Sequence, residues 1–178
     1  GAVVAALSGC GKVNAALCAQ TMILAFGVDA VLNIGCAGGL REELKVGDLV
    51  VANLAAQHDL LVFERMGMEC LCDSEMSAQL LRLAGPGAVS GPVVSGDHFV
   101  ESAQEKALLS DGFSAAACDM EAGAIGLACR MAGVPFAVVR GISDGADEGA
   151  RASFAECLKL ASGRAAEVAV AFIREVFA

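Results

Sequence analysis

The sequence has no tryptophan and no tyrosine, so eight phenylalanines and two histidines are the only rings available to stack on a ligand. Positive charge is also scarce: 12 Lys and Arg stand against 21 Asp and Glu, a net charge of −9 at pH 7 and a pI near 4.6. Such a chain repels phosphate backbones and anionic lipid, which argues against nucleic acid and membrane surfaces and favours a small neutral or cationic ligand. No apolar run approaches the length that spans a bilayer. With three prolines in 178 residues, no low-complexity tract and no internal repeat, no linker divides the chain. A single domain over residues 1–178 is expected.

Cysteine is plentiful, at eight residues, but no Cys-x-x-Cys pair exists and only Cys70-Leu71-Cys72 stand close together. A disulfide framework is therefore not expected. Cys18, Cys129 and Cys157 fall inside apolar helical patterns, where a thiol acts as a small hydrophobe, and together they point to a reducing cytoplasm. A zinc site from Cys70, Cys72 and His58 matches no standard spacing, and no metal or cofactor is expected. Leu7-Ser8-Gly9-Cys10 has the outline of a lipoprotein cleavage box. The apolar run before it is short and carries no basic residue, so a processed leader is not expected.

What the chain does contain is apolar content: 56% hydrophobic residues and a mean hydropathy of +0.63, ample for a packed core. Short β-branched runs alternate with helical patterns. Strands are expected at Val3–Leu7, Ala30–Ile34, Asp48–Ala52, Val89–Val94, Ala115–Cys118 and Phe136–Ile142. Helices are expected at Lys12–Phe26, Ser74–Ala84, Ala103–Leu109, Met120–Ala132 and along the C-terminus. Ser102 with Glu105, and Ser153 with Glu156, have the capping-box spacing that opens a helix. Gly27, Gly85 and Gly133 stand where helices should stop. Strands apolar throughout are buried on both faces, which predicts an α/β fold of three layers with a central, mostly parallel or mixed sheet.

In such sheets ligands bind beyond the carboxyl ends of strands, so three loops are singled out: Ser8-Gly9-Cys10-Gly11-Lys12, Gly35-Cys36-Ala37-Gly38-Gly39 and Ile142-Ser143-Asp144-Gly145. The first shares only its Gly-Lys with a phosphate loop and reads as a tight turn into a helix. The glycines of the second let backbone amides approach a ligand, though a tight strand exit needs the same residues. Asp144 follows a wholly apolar strand, where a carboxylate must be hydrogen-bonded, capping or catalytic. Asp119-Met120-Glu121 opens a helix, where acids are favoured by the dipole and a carboxylate can also accept two ribose hydroxyls. Ser95-Gly96-Asp97-His98-Phe99-Val100 sets one of the few aromatic rings beside a glycine turn.

Taken in order, these segments together with Asn33–Leu40, Val46–Val51, His58-Asp59 and Val134–Asp147 resemble the nucleoside phosphorylase and nucleosidase superfamily. They are most similar to its bacterial 5′-methylthioadenosine/S-adenosylhomocysteine nucleosidases. The resemblance covers nearly the whole chain except about residues 60–88. It implies that Asp144 bonds the adenine N7 and amino group and delivers a proton to N7. An ordinary aspartate is ionised at neutral pH, so the role requires that it be held protonated or share a proton with the purine. Ser143 would orient Asp144, Phe99 would stack on the base and the Val100 backbone would read its edge. Glu121 would hold the ribose hydroxyls with Met120 against the sugar. Cys36, Ala37, Gly38 and Arg140 would border the sugar and the attacking water, where positive charge develops.

The resemblance also sets two expectations of difference. Family members begin with a further strand and a Met-x-x-Glu turn whose glutamate activates water; nothing before Ser8 is acidic, so that strand and glutamate are expected to be lacking. The stretch Leu60–Met68 is expected near a homodimer interface, shortened and rich in methionine. Three functions follow as alternatives: a purine nucleosidase using water, a nucleoside phosphorylase, and a relative that binds adenine or a nucleoside without turnover. Related phosphorylases carry an arginine near the second glycine loop, where this chain reads Leu32-Asn33-Ile34, which favours hydrolysis.

Overall fold

Apolar runs as far apart as Val31–Gly39 and Phe136–Asp144 pair into one sheet, because each is too hydrophobic to leave either face in water. The computed structural model describes residues 1–62, 65–66 and 68–177. In chain order the elements are α1 (Lys12–Phe26), β1 (Val31–Gly39), β2 (Leu49–Gln57), β3 (Leu61–Val62), β4 (Arg65–Met66) and β5 (Cys70–Leu71). They continue with α2 (Ser74–Ala84), β6 (Val89–Ser95), α3 (Ala103–Phe113), β7 (Ala117–Asp119), α4 (Ala122–Ala132), β8 (Phe136–Asp144) and α5 (Ala150–Val176).

The main sheet runs β5-β2-β6-β7-β1-β8, and a further antiparallel pairing of β2 with β8 closes it on itself. It is mixed. β1–β8, β2–β6 and β6–β7 are parallel, whereas β1–β7 and β2–β5 are antiparallel. Helices cover both faces, as expected of three layers. Ala15 and Ala19 of α1 and Ala122, Ile125 and Cys129 of α4 pack on one side with Val50, Val93 and Val138. Leu80 of α2 and Ala165, Val168 and Phe172 of α5 pack on the other with Val51, Ala137 and Val139. α5 lies so close to the sheet that a Cβ at Gly141 would stand 2.0 Å from the Ala161 carbonyl oxygen, so only glycine permits this approach.

Helix ends follow local chemistry. Gly27 and Gly133 terminate α1 and α4 in left-handed conformation, and Ser102 Oγ accepts from the Glu105 amide at the start of α3. The expected Ser153–Glu156 start of α5 is displaced: the helix begins at Ala150, because Asp147 Oδ1 accepts from Gly149 N and its carbonyl from Ala150 N, forming the first turn earlier. A second correction concerns Val3–Leu7, which forms no strand. That run is exposed, with Leu7 wholly so, and no neighbouring strand pairs with it; extended backbone without a ladder partner has nothing to hold it. The expected Leu60–Met68 interface stretch falls partly outside the described residues.

The strands also run further than expected. β1 continues through the glycines to Gly39 and β8 through to Asp144, because the two stay paired from Val31↔Phe136 to Gly38↔Asp144, with a bulge at Ala37/Gly38. Asp144 is thus the last residue of a central strand rather than a loop residue. A paired strand end holds a side chain more rigidly than a loop does.

Candidate functional site

The ends of β1, β7 and β8, the loop before α1 and the loop after β6 meet around one open cavity of about 550 Å³, its mouth to solvent included. Its walls include Ala37, Gly38, Phe99, Val100, Met120, Glu121, Ser143 and Asp144, with Cys36 beside them. Of the expected site residues only Arg140 is not on the wall. This is the crevice at strand carboxyl ends where α/β sheets bind ligands.

Asp144 is buried, at 2% exposure. Its Oδ2 accepts from Ser143 Oγ at 2.8 Å and its Oδ1 from the Ala146 amide at 3.0 Å. Two donors on two oxygens fix the carboxyl plane, and Ala146 adopts φ +52 to supply its amide. Gly38 makes the space, since a Cβ there would come within 3.0 Å of Asp144 Oδ1. Ser143 Oγ also lies 3.3 Å from the Ala37 carbonyl, so the hydroxyl has a second acceptor.

Behind the cavity runs a buried polar chain. Asp119 Oδ2 accepts from Arg140 Nε at 2.8 Å and from the same guanidinium's Nη2, which also donates to Asn33 Oδ1 at 2.6 Å. Asp119 Oδ1 accepts from Ser95 Oγ, and its carboxylate takes the Ala122 amide at 3.1 Å, anchoring the start of α4. Ser95 Oγ in turn accepts from the Gly123 amide at 2.8 Å. Arg140, 1% exposed, is therefore a partner of Asp119 beneath the floor, with two of its three nitrogens engaged.

Glu121 stands at the N-cap of α4, and its Oε1 accepts from Gly11 N at 3.0 Å. Burial, and then the nearby Asp119 carboxylate, push the Glu121 carboxyl above its ordinary range. The same contact draws the loop before α1 over the site, where Cys10 Sγ donates to Met120 Sδ at 3.5 Å. That loop is clamped from the other side: Asp97 Oδ1 accepts from the Lys12 amide at 2.7 Å, Asp59 Oδ2 from the Asp97 amide at 2.9 Å, and Lys12 Nζ pairs with Asp59.

Several wall residues carry no warning in the sequence. Phe154 of α5 meets Phe99 edge to face, with centroids 5.5 Å apart, and Arg151 lies over the same ring at 5.8 Å while pairing with Glu101. Phe154 falls at the start of the expected C-terminal helix and Arg151 just before it, and only the return of the chain over more than fifty residues brings them to Phe99. His98, Cys10 and Cys118 also line the cavity. Burial raises all three cavity thiols, at Cys10, Cys36 and Cys118, above the ordinary thiol range, which favours the neutral form on this wall. All eight cysteines are free. Among the described residues no helix is long and apolar enough to cross a membrane.

Comparison with known proteins matches residues 1–174 to the phosphorylase superfamily. An aminodeoxyfutalosine nucleosidase of Helicobacter pylori is 38% identical over 186 residues, covering 98% of this chain and 81% of that protein. A 5′-methylthioadenosine/S-adenosylhomocysteine nucleosidase of Actinobacillus succinogenes is 35% identical over 187 residues, covering 98% and 81%. Among solved structures, the 5′-methylthioadenosine/S-adenosylhomocysteine nucleosidase from Neisseria meningitidis, in complex with methylthio-immucillin-A, superposes with a TM-score of 0.89. It is 36% identical and covers 95% of this chain and 79% of that one.

Proposed function

The chain belongs to the phosphorylase superfamily, and from that premise we propose that it hydrolyses the N-glycosidic bond of adenine nucleosides such as 5′-methylthioadenosine and S-adenosylhomocysteine, releasing adenine. The observation that carries the reading is the placement of three carboxyl groups on one cavity, buried Asp144 and Asp119 and half-buried Glu121, with Phe99 and Met120 on the same wall.

Adenine stacks on Phe99, with the Val100 backbone at its edge, and Asp144 bonds N7. Ser143 and the Ala146 amide hold that carboxyl in one plane, so the proton reaches N7 along a fixed line. Protonation turns the base into a neutral leaving group. The ribose rests on Met120 with its hydroxyls on Glu121, and Cys36, Ala37 and Gly38 border the sugar. As the bond to nitrogen lengthens, C1′ becomes positive, and the carboxylates of Glu121 and Asp119 lower the energy of that charge. Water then attacks C1′ as the bond to N9 breaks, and the proton it loses passes through solvent and replaces the one Asp144 gave to N7, leaving a sugar hydroxyl and neutral adenine. Arg140 serves by holding Asp119 in place.

Phosphorolysis needs a cationic cradle for phosphate. Arg140 is already bound to Asp119 and Asn33, which supports water as the nucleophile. Incubating the protein with 5′-methylthioadenosine, with and without phosphate, and following free adenine tests the reading. Release at the same rate in both is expected. Strict phosphate dependence would identify a phosphorylase, and ligand binding without adenine a non-catalytic relative.

The reading includes a homodimer acting in the cytoplasm on a small nucleoside, with no cofactor. Val13, Leu17 and Leu24 lie on one side of α1 and are exposed, and supply an apolar face for a second copy. Light scattering is expected to give twice the mass of one chain; a single-chain mass at micromolar concentration would refute the dimer.

A further inference from the structure

The turn that carries Phe99 and Val100 rests on a residue that the chemistry above leaves unused. β6 ends at Ser95, and the segment beyond it sets His98, Phe99 and Val100 on the cavity wall. His58 follows β2 and donates its amide to the Ser95 carbonyl at 3.0 Å, next to the Gln57↔Ser95 pair. Its imidazole packs against the turn, where a Cβ at Gly96 would stand 2.3 Å from Nε2. The ring also meets His98 edge to face, with centroids 5.3 Å apart, and His98 in turn bonds Glu105 of α3. His58 therefore holds the turn at its root and, through His98, beside Phe99.

Nε2 is buried, and among the described residues it has no hydrogen-bond partner. A neutral ring leaves only a lone pair unmatched there. A protonated ring would press a charged N–H against the Gly96 backbone with no acceptor, at far higher cost. Burial, the largest influence, disfavours the proton; Asp59 on the same turn and Glu105 on α3 favour it, and His98 and Lys12 of α1 oppose it. The balance holds the His58 pKa below the ordinary histidine value.

We propose that His58 is a positioning residue for the purine: its neutral ring holds turn 96–100 where Phe99 stacks on the base, and gaining a proton unseats that turn. The inference rests on the placement of adenine on Phe99 given above. His58 touches no substrate, yet it couples base affinity to pH, because a ligand that needs the neutral ring must make that ring harder to protonate.

The chain has two histidines, so the ring signals of each can be followed by NMR. Saturating adenine is expected to move the His58 titration midpoint down by about one pH unit. Reciprocally, adenine affinity measured by calorimetry is expected to hold above pH ~6.5 and to fall about tenfold as the pH drops through the lower His58 value. His58→Phe keeps a ring against Gly96 and His98 but takes no proton. Its affinity at about pH 7.5 is expected to stay within about threefold of wild type, and the fall towards about pH 5 to disappear. Should that variant fail to fold, His98→Gln leaves His58 as the one histidine, and its single signal reports the same midpoint shift. A His58 midpoint that adenine leaves in place, or a fall in affinity that persists undiminished in His58→Phe, would overturn the proposal while leaving adenine recognition intact. Absence of adenine binding by the wild-type protein at neutral pH would instead remove the reading of the site on which it rests.

Discussion

Asp144→Asn is expected to slow adenine release by about 10²–10⁴-fold, the range that a positioned general acid contributes. The substitution keeps the size of the side chain but removes the proton that the purine must receive. It also fits. The asparagine oxygen can accept the Ala146 amide as Asp144 Oδ1 does at 3.0 Å, and the new amide nitrogen can donate to Ser143 Oγ. Ser143 then turns its hydrogen to the Ala37 carbonyl, already 3.3 Å away. Every buried polar atom keeps a partner, so thermal unfolding is expected to move by no more than about 2–4 °C, the equivalent of ~1 kcal/mol in a domain of this size. The decisive comparison is therefore activity against stability in one variant. Retention of more than a tenth of wild-type turnover in a normally folded protein would remove Asp144 from the chemistry.

The second large effect lies beneath the floor. Arg140→Ala is expected to destabilise the protein by about 3–5 kcal/mol, because it leaves the Asp119 carboxylate buried without its cation. Asp119 would still hold Ser95 Oγ and the Ala122 amide, but neither donor carries charge. The loss should appear as a fall in Tm of roughly 6–20 °C. Removing both charges should be milder: Arg140→Met with Asp119→Leu is expected to recover part of the loss, since no uncompensated charge remains. A double variant no more stable than Arg140→Ala would show that hydrogen bonds to Asn33, Ser95 and α4, rather than charge pairing, dominate the site. Either variant should also disturb Glu121, because Asp119 anchors the first turn of the helix that Glu121 caps.

The two effects are linked by β8. Arg140 and Asp144 stand four residues apart on the same strand, one beneath the cavity and one on its wall. The strand's pairing with β1 fixes both. This explains why Arg140, expected to border the sugar and the attacking water, lies off the cavity wall and pairs with Asp119: in this register Gly35 lies opposite Arg140, and a Cβ at Gly35 would meet its guanidinium at 2.8 Å. The side chain threads past that glycine to Asn33 and Asp119 instead of entering the cavity.

What the sequence determined by itself was whatever depends on neighbours along the chain. Alternation of β-branched runs with helical patterns yields β1, β6, β8 and the helices, because periodicity is a local property. Gly27 and Gly133 end helices for the local reason that only glycine turns left-handed there freely, and Ser102 caps α3 within four residues. Asp144 was conspicuous because a carboxylate ending an apolar strand must be hydrogen-bonded, capping or catalytic, and the partners it has, Ser143 and Ala146, are its own neighbours. Tertiary structure decided what depends on residues far apart. That Arg140 binds Asp119, that Phe154 meets Phe99, that Cys10 lies on Met120 and that Lys12 clamps Asp59 are contacts across 21 to 110 residues, which leave no periodic mark. Val3–Leu7 shows the same limit in reverse. Its composition suits a strand, but a strand is a hydrogen-bonded pair, and whether a partner stands beside it is settled only in three dimensions.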